Sequence, residues 1–263
     1  MKTSGNTILI TGAASGIGLE IAKLFSQKNN KVIMADRSID QLKTEAAKLK
    51  NAVAIAVDLT DENDVNKLIQ TIKLNHSELN IVLLNAGAAN DYSLYSTDYD
   101  LEYAKSEINT NYIANVRLTH ALEPVLSTKE EAAFVVTTSG LAFVPNLNYP
   151  TYSVTKAALH SFALASRRAL KRKGSSIKFF DLMPPLTNRL RTSPLTQILS
   201  KSKATHPLRS PRLLGALLCL TGQHNVRTDG STNAPSLNLG EVGRGKRTDA
   251  LCGLRDFSAP LRG

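Results

Sequence analysis

The sequence has no tryptophan, only two cysteines (Cys219 and Cys252), and aromatic side chains at 5% of its 263 positions. Two cysteines build neither a disulfide framework nor a cysteine metal site, so a reducing compartment, the cytoplasm by default, is expected and no metal ligands are read. No stretch approaches the roughly 18 consecutive apolar residues of a membrane span. The opening MKTSGNTILITG enters an apolar β-type run without the pattern of a signal peptide. Acidic residues are scarce in one region: residues 187–263 hold 12 of the 32 Lys and Arg but 4 of the 22 Asp and Glu, so the net charge of +10 divides into +8 there and +2 over 1–186. A basic excess confined to one end does not describe a nucleic-acid-binding domain, and no nucleic-acid partner is expected.

What is present is a chain able to bury a sizeable core, 42% hydrophobic, whose first two thirds alternate short apolar runs with helical periodicity. Asn6–Thr11 reads as a buried strand and breaks at Gly12-Ala-Ala-Ser-Gly16-Ile-Gly18, ahead of a helix from Leu19 to Gln27. Glycines between a strand and a helix let the backbone approach a pyrophosphate, and the helix N-terminus favours its charge. Lys31–Asp36 is the second strand, with an acid at its carboxyl end about 20 residues after the turn, where it can accept bonds from ribose hydroxyls and repel a 2′-phosphate. Arg37 works the other way, since a guanidinium can hold that phosphate. A helix at about 38–50, a strand at 52–57 closed by Asp58, a helix at about 61–75 and a strand running from Asn80 into Asn85-Ala86-Gly87 follow. Asp58 either meets an adenine edge or caps the next helix. This alternation predicts an α/β fold: a Rossmann-type, doubly wound parallel sheet with helices on both faces, in a single domain.

One long helix is expected at about 98–127, and its Asn109, Asn111 and Asn115 are unfavourable there by propensity, so at least one should have a task. A fifth strand, 132–138, leads to Ser139-Gly140, and thirteen residues after Ser139 stands Tyr152-Ser-Val-Thr-Lys156, at the start of a helix reaching about residue 173. Spaced i and i+4 on a helix, the phenol and the ammonium share a face, and a nearby cation favours the phenolate needed for acid–base work. Val154, Ala158, Phe162, Ala165 and Ala169 form an apolar face of that helix, the cations from Arg167 to Lys173 suit its C-terminus, and His160 reads as a packing residue. A sixth strand, 175–182, ends in Met183-Pro184-Pro185-Leu186-Thr187. Beyond it the periodicity fails, leaving one apolar helical stretch (212–220) and Thr221-Gly-Gln ahead of Asp229-Gly230. The division is therefore a dinucleotide-binding and catalytic domain at 1–186 and an atypical basic tail at 187–263. The tail is either a loosely packed, divergent ending or a reading-frame or splice artefact, and the last strand is left open.

In family order, TGAASGIG (11–18), Asp58, NAG (85–87), Asn111, Ser139 and YSVTK (152–156) resemble the short-chain dehydrogenase/reductases. SGLAFVP (139–145), TKAALHSF (155–162) and MPPL (183–186) further resemble their DltE-like oxidoreductase group, over residues 1–189. The resemblance implies Tyr152 as general acid/base, Lys156 as the holder of the nicotinamide ribose, Ser139 as hydrogen-bond donor to the substrate oxygen and Asn111 as anchor of a relay water. The resemblance favours Asn111 over Asn109 because Thr119 lies eight residues on, as in the family's helix. It implies cofactor contacts from Thr11, Gly12, Ser15, Gly16, Ile17, Gly18, Asp36, Arg37, Asp58, Leu59, Asn85, Ala86, Gly87, Tyr152, Lys156, Pro184 and Thr187. Asp36 stands where the DltE-like group usually has glycine, which favours NAD, with NADP as the alternative. The expected activity is hydride transfer between NAD(H) and a small secondary alcohol or carbonyl compound, in a homodimer or homotetramer. The rivals are a non-catalytic dinucleotide-binding protein of the same fold and nucleic-acid binding through the tail.

Overall fold

The computed structural model describes residues 1–184 apart from Asp98. Thr187, the tail from 187 to 263, its helical stretch and Asp229-Gly230 lie outside the described residues. Five runs rich in aliphatic and β-branched residues and one aromatic run become strands: β1 (Thr7–Thr11), β2 (Lys31–Asp36), β3 (Ala52–Ala56), β4 (Ile81–Leu84), β5 (Ala133–Thr137) and the aromatic β6 (Lys178–Leu182). All pair in parallel, in the order β3-β2-β1-β4-β5-β6. Parallel neighbours need crossover helices. These are α1 (Gly16–Gln27), α2 (Ile39–Ala46), α3 (Glu62–Asn75), α4 (Leu101–Ile108), α5 (Ala114–Ser127) and α6 (Pro150–Arg172).

Because side chains alternate along a strand, each one feeds two cores. Leu9, Ile33, Val82 and Phe134 pack against Val65 and Leu68 of α3, Leu118 and Leu122 of α5 and Leu159 of α6. Ile8, Ile10, Val32 and Leu83 pack against Ile21 and Phe25 of α1 and Leu42 of α2. The predicted doubly wound parallel sheet is thus observed. Its chain order reverses between β1 and β4, the point at which such sheets open a crevice at their carboxyl ends.

Four local expectations change. The single helix expected at 98–127 is divided into α4, a π-helical turn (Asn109–Ile113) and α5. The Asn115 side-chain amide donates to the Asn111 carbonyl at 2.7 Å, a side chain inserted into the backbone ladder, which is a recognised cause of such a break. The helix expected to reach residue 50 ends at Ala46, and β6 begins three residues late because Gly174 turns with φ +69°. On α6 the expected apolar face is inward only in part: Phe162 packs against the core, whereas Val154 is 64% exposed and the buried stripe is Ser153, Thr155, Lys156, Leu159 and Ala163.

Backbone crowding at the β1 turn explains two of its glycines. A Cβ on Gly18 would lie 2.1 Å from the Gly12 oxygen and 2.7 Å from Asn85 Nδ2. Gly12 has φ +67°, and its Cβ would meet Ala86 Cα at 2.8 Å. Gly18→Ala should therefore cost about 1–3 kcal/mol through overpacking, a fall in Tm of roughly 2–10 °C. Gly140→Ala, with nothing within 4 Å of its Cβ, should stay within about 1 kcal/mol of the wild type. Thermal unfolding of the two variants checks this, and equal shifts would contradict it.

Candidate active site

The turn after β1 folds back over the end of β2, with Gly12 N and Ala13 N both donating to the Ala35 carbonyl, at 2.8 and 3.3 Å. Ser15 opens α1 in an extended conformation, φ −155°, with no side-chain cap bond and no acid in the first turn. Ser15 and Gly16 are exposed and Ile17 is half-buried. The N-terminus of a 12-residue helix therefore lies at the crest of the sheet with no side-chain cap among the described residues. Amides and helix dipole together suit an anion there. Asp36, at the end of β2, accepts from Ala14 N (3.1 Å) and Ser38 N (3.0 Å), which holds its carboxylate against this turn; Arg37 beside it is exposed.

At the end of β3, Asp58 Oδ1 accepts from Thr60 N (2.8 Å) and Thr60 Oγ1 (2.7 Å). The cap of α3 is Asp61, which accepts from Asn63 N at 2.7 Å, so the capping alternative for Asp58 falls to a residue three positions on. Leu59 sends its side chain into the core and can offer the crest only its backbone.

A chain of hydrogen bonds crosses the ends of the central strands. Thr11 Oγ1 accepts from Asn85 N and Ala86 N, both at 3.1 Å. Asn85 Nδ2 donates back to the Thr11 and Gly12 carbonyls (3.3 and 3.4 Å), and Thr137 Oγ1 donates to Asn85 Oδ1 (3.3 Å). The Thr137 carbonyl in turn accepts Lys156 Nζ at 2.7 Å. Thr11 and Asn85 thus spend these side-chain groups on joining β1, β4 and β5.

Lys156 is 2% exposed and its ammonium lies 5.4 Å from the centre of the Tyr152 ring. A Cβ on Gly87 would stand 3.5 Å from both Lys156 Nζ and Asn111 Oδ1, which brings Gly87, Asn111, Tyr152 and Lys156 to one place. Asn111, fully buried in the π turn, receives Ala88 N (2.8 Å) and donates to the Ala88 carbonyl (2.9 Å) and Thr155 Oγ1 (3.0 Å). Its side chain therefore clamps the loop after β4 to α6. Of the other asparagines, Asn115 makes the break described above and Asn109 is exposed. Ser139 caps the 3-10 turn Gly140–Ala142 by accepting Leu141 N at 3.2 Å, which leaves its O–H able to donate. Pro184 is half-buried two residues past β6. Among the described residues no group of three His, Cys, Asp or Glu could hold a metal ion.

Two features here were not read from the sequence. Glu107, fully buried at the end of α4, accepts Asn90 N (2.6 Å) and Asn90 Nδ2 (3.1 Å) through Oε1. His160, expected to be a packing residue, also lies 2.5 Å from Asp181 Oδ2 through Nδ1. The signals were available: Glu107 lies one turn before Asn111, and Asp181 is an acid within an aromatic strand.

The sequence profile of the short chain dehydrogenases matches residues 6–197. The chain belongs to that family. It is 36% identical over 188 residues, 72% of the chain and 74% of the relative, to the uncharacterized oxidoreductase DltE of Bacillus subtilis, and it falls in the DltE-like group of the short-chain dehydrogenases. A solved 3-ketoacyl-(acyl-carrier-protein) reductase from Brucella melitensis, complexed with NADH, is similar with a TM-score of 0.65 and 25% identity over 70% of this chain and 77% of that one. A short chain dehydrogenase from Escherichia coli, complexed with NADPH, shares the fold with a TM-score of 0.63 and 24% identity over 69% of this chain and 77% of that one. The family match extends past residue 189, the end of the resemblance read from the sequence, to residue 197.

Burial raises the pKa of Glu107 above the ordinary 4.5, only partly opposed by the bonds from Asn90. A carboxyl raised in the folded state contributes fully below the unfolded pKa and loses that contribution as pH climbs toward the folded pKa. Glu107→Gln should therefore match the wild type most closely near pH 4 and gain on it as pH rises to 8. Melting curves across that range test the sign; a difference independent of pH would contradict it.

Proposed function

We propose that the protein is an oxidoreductase that moves a hydride between a nicotinamide dinucleotide and the carbon of an alcohol or carbonyl compound, with residues 1–186 as the dinucleotide-binding and catalytic unit. The observation that carries this reading is the meeting of Lys156, Tyr152 and Gly87 at the same sheet edge as the glycine turn. The turn fits a dinucleotide: Gly12 and Gly18 are sites where a side chain would collide with backbone, and among the described residues the N-terminus of α1 carries no capping acid. Gly12, Gly16, Ile17 and Gly18 would hold the pyrophosphate, Asp36 the adenosine ribose, Asp58 the adenine edge and Lys156 the nicotinamide ribose. The bound nicotinamide supplies or accepts the hydride.

The protein's own residues manage the proton. In the direction of reduction, Ser139 donates a hydrogen bond to the carbonyl oxygen and positions it beside the Tyr152 phenol. As the carbonyl carbon gains the hydride, the π pair moves onto oxygen, which takes the phenolic proton. The charge left on the tyrosine is stabilised by the buried ammonium of Lys156, which acts in a medium of low dielectric. Proton return from solvent completes the cycle, through a water anchored at Asn111. Apolar side chains exposed near this edge, Phe143, Val144 and Leu147, favour substrates with apolar substituents. The test panel is therefore aliphatic and aryl ketones, 3-keto esters and their alcohols.

Tyr152→Phe should lower kcat by at least about 100-fold, the ordinary scale of acid–base catalysis, with NADH affinity little changed. A variant with near wild-type kcat would remove Tyr152 from the reaction, whereas NADH binding without turnover across the panel would favour the non-catalytic rival. For the cofactor, the Asp36 carboxylate beside the turn should repel a 2′-phosphate, so NADH is expected to bind more tightly than NADPH. Asp36→Gly should narrow or reverse that order by leaving Arg37 to pair with the phosphate. Fluorescence titration with both cofactors decides it, and tighter NADPH binding by the unaltered protein would contradict it.

A further inference from the structure

The Ser139 loop is held at both ends by one pair of side chains. Asp181, on β6, accepts the Thr138 hydroxyl through Oδ1 at 2.5 Å and faces His160 Nδ1 through Oδ2, also at 2.5 Å. Thr138 is 2% exposed and immediately precedes Ser139, and its N–H is fixed to the Leu182 carbonyl at 2.9 Å. At the far end of the loop the Phe143 ring meets the His160 imidazole edge-on, with centroids 4.8 Å apart. Between these anchors lie Ser139 and the 3-10 turn that it caps.

The placement of His160 gives the pair its consequence. Tyr152, Lys156 and His160 follow one another at i, i+4 and i+8 on α6, and so share a face. Lys156 grips the Thr137 carbonyl, and His160 reaches Thr138 through Asp181. The helix that carries the phenol therefore holds two successive residues of the segment that leads into Ser139. We infer that the His160–Asp181 pair is a positioning device, which sets the Ser139 hydroxyl in register with the Tyr152 phenol. A merely architectural pair would join α6 to β6 without engaging both ends of this loop. The inference rests on the reading of Ser139 as donor to the substrate oxygen.

The test uses the full-length protein, with Thr138→Val, Thr138→Ser and Asp181→Asn made in the wild type and in a Ser139→Ala background. Thr138→Val and Asp181→Asn should each lower kcat roughly tenfold, the scale of a misplaced catalytic contact, with the NADH Kd within about twofold of the wild type. Thr138→Ser, which keeps the hydroxyl, should restore most of the loss. Because the pair acts through Ser139, the same substitutions should cost less than about twofold in the Ser139→Ala background. Amide exchange at residues 141–144 should accelerate in Thr138→Val and Asp181→Asn but not in Thr138→Ser, while Phe134–Val136 of β5 stays slow. An undiminished loss in the Ser139→Ala background, full activity in both disruptive variants, or unchanged exchange at 141–144 would overturn the inference. If Ser139→Ala itself turns over like the wild type, the role of Ser139 has failed instead, and amide exchange, which needs no turnover, still decides whether the pair pins the loop.

Discussion

The run of hydrogen bonds from Thr11 through Asn85 and Thr137 to Lys156 is the constraint on which the site depends. Where parallel strands end, their last polar groups have no ladder partner and must find one or remain hydrated. Here they satisfy one another across β1, β4 and β5, and the chain finishes on an ammonium only 2% exposed. Burying that charge is costly unless it is hydrogen-bonded, and the Thr137 carbonyl at 2.7 Å offsets the cost. The same bond fixes α6 over the end of β5. Lys156 is thereby oriented by the sheet, and Tyr152 by the helix that it shares with Lys156.

The groups around that chain are arranged with the same economy. The π turn gives Asn111 a buried position from which its amide clamps Ala88 and meets Thr155, so the loop carrying Asn85, Ala86 and Gly87 is tied to α6. Glu107, one turn earlier, fixes Asn90 in the same loop. On the opposite flank, Asp181 and His160 hold the segment around Ser139. The Lys156 ammonium and the backbone leading into Ser139 are thus both held by bonds within the protein.

Much of this was legible in the sequence, for identifiable reasons. The βαβ order follows from alternating periodicities, and all six strands and the parallel sheet were expected. Tyr152 and Lys156 could be paired because i and i+4 fix a shared helix face whatever surrounds them. The tertiary partners of polar side chains were not legible. Thr11 and Asn85 read as cofactor contacts, but that their side chains also brace strand ends 74 residues apart in the chain was not legible. The inward stripe of α6 escaped a hydrophobic reading because it is polar where it faces the site, at Ser153, Thr155 and Lys156. The π turn is accompanied by a bond from the Asn115 side chain to the Asn111 carbonyl, to which periodicity is blind. Asp58 kept two readings until the structure showed Asp61 to be the cap of α3.

The central claim is that this edge of the sheet passes a hydride between a nicotinamide and a carbonyl carbon, and an isotope measures that directly. NADH carrying deuterium at the transferable C4 position is incubated with the protein and a panel ketone, and the alcohol formed is examined by mass spectrometry. The account predicts one deuterium on the carbinol carbon from one of the two C4-labelled diastereomers and none from the other. Alcohol formed without deuterium from either diastereomer, or no alcohol from any ketone in the panel, would contradict it.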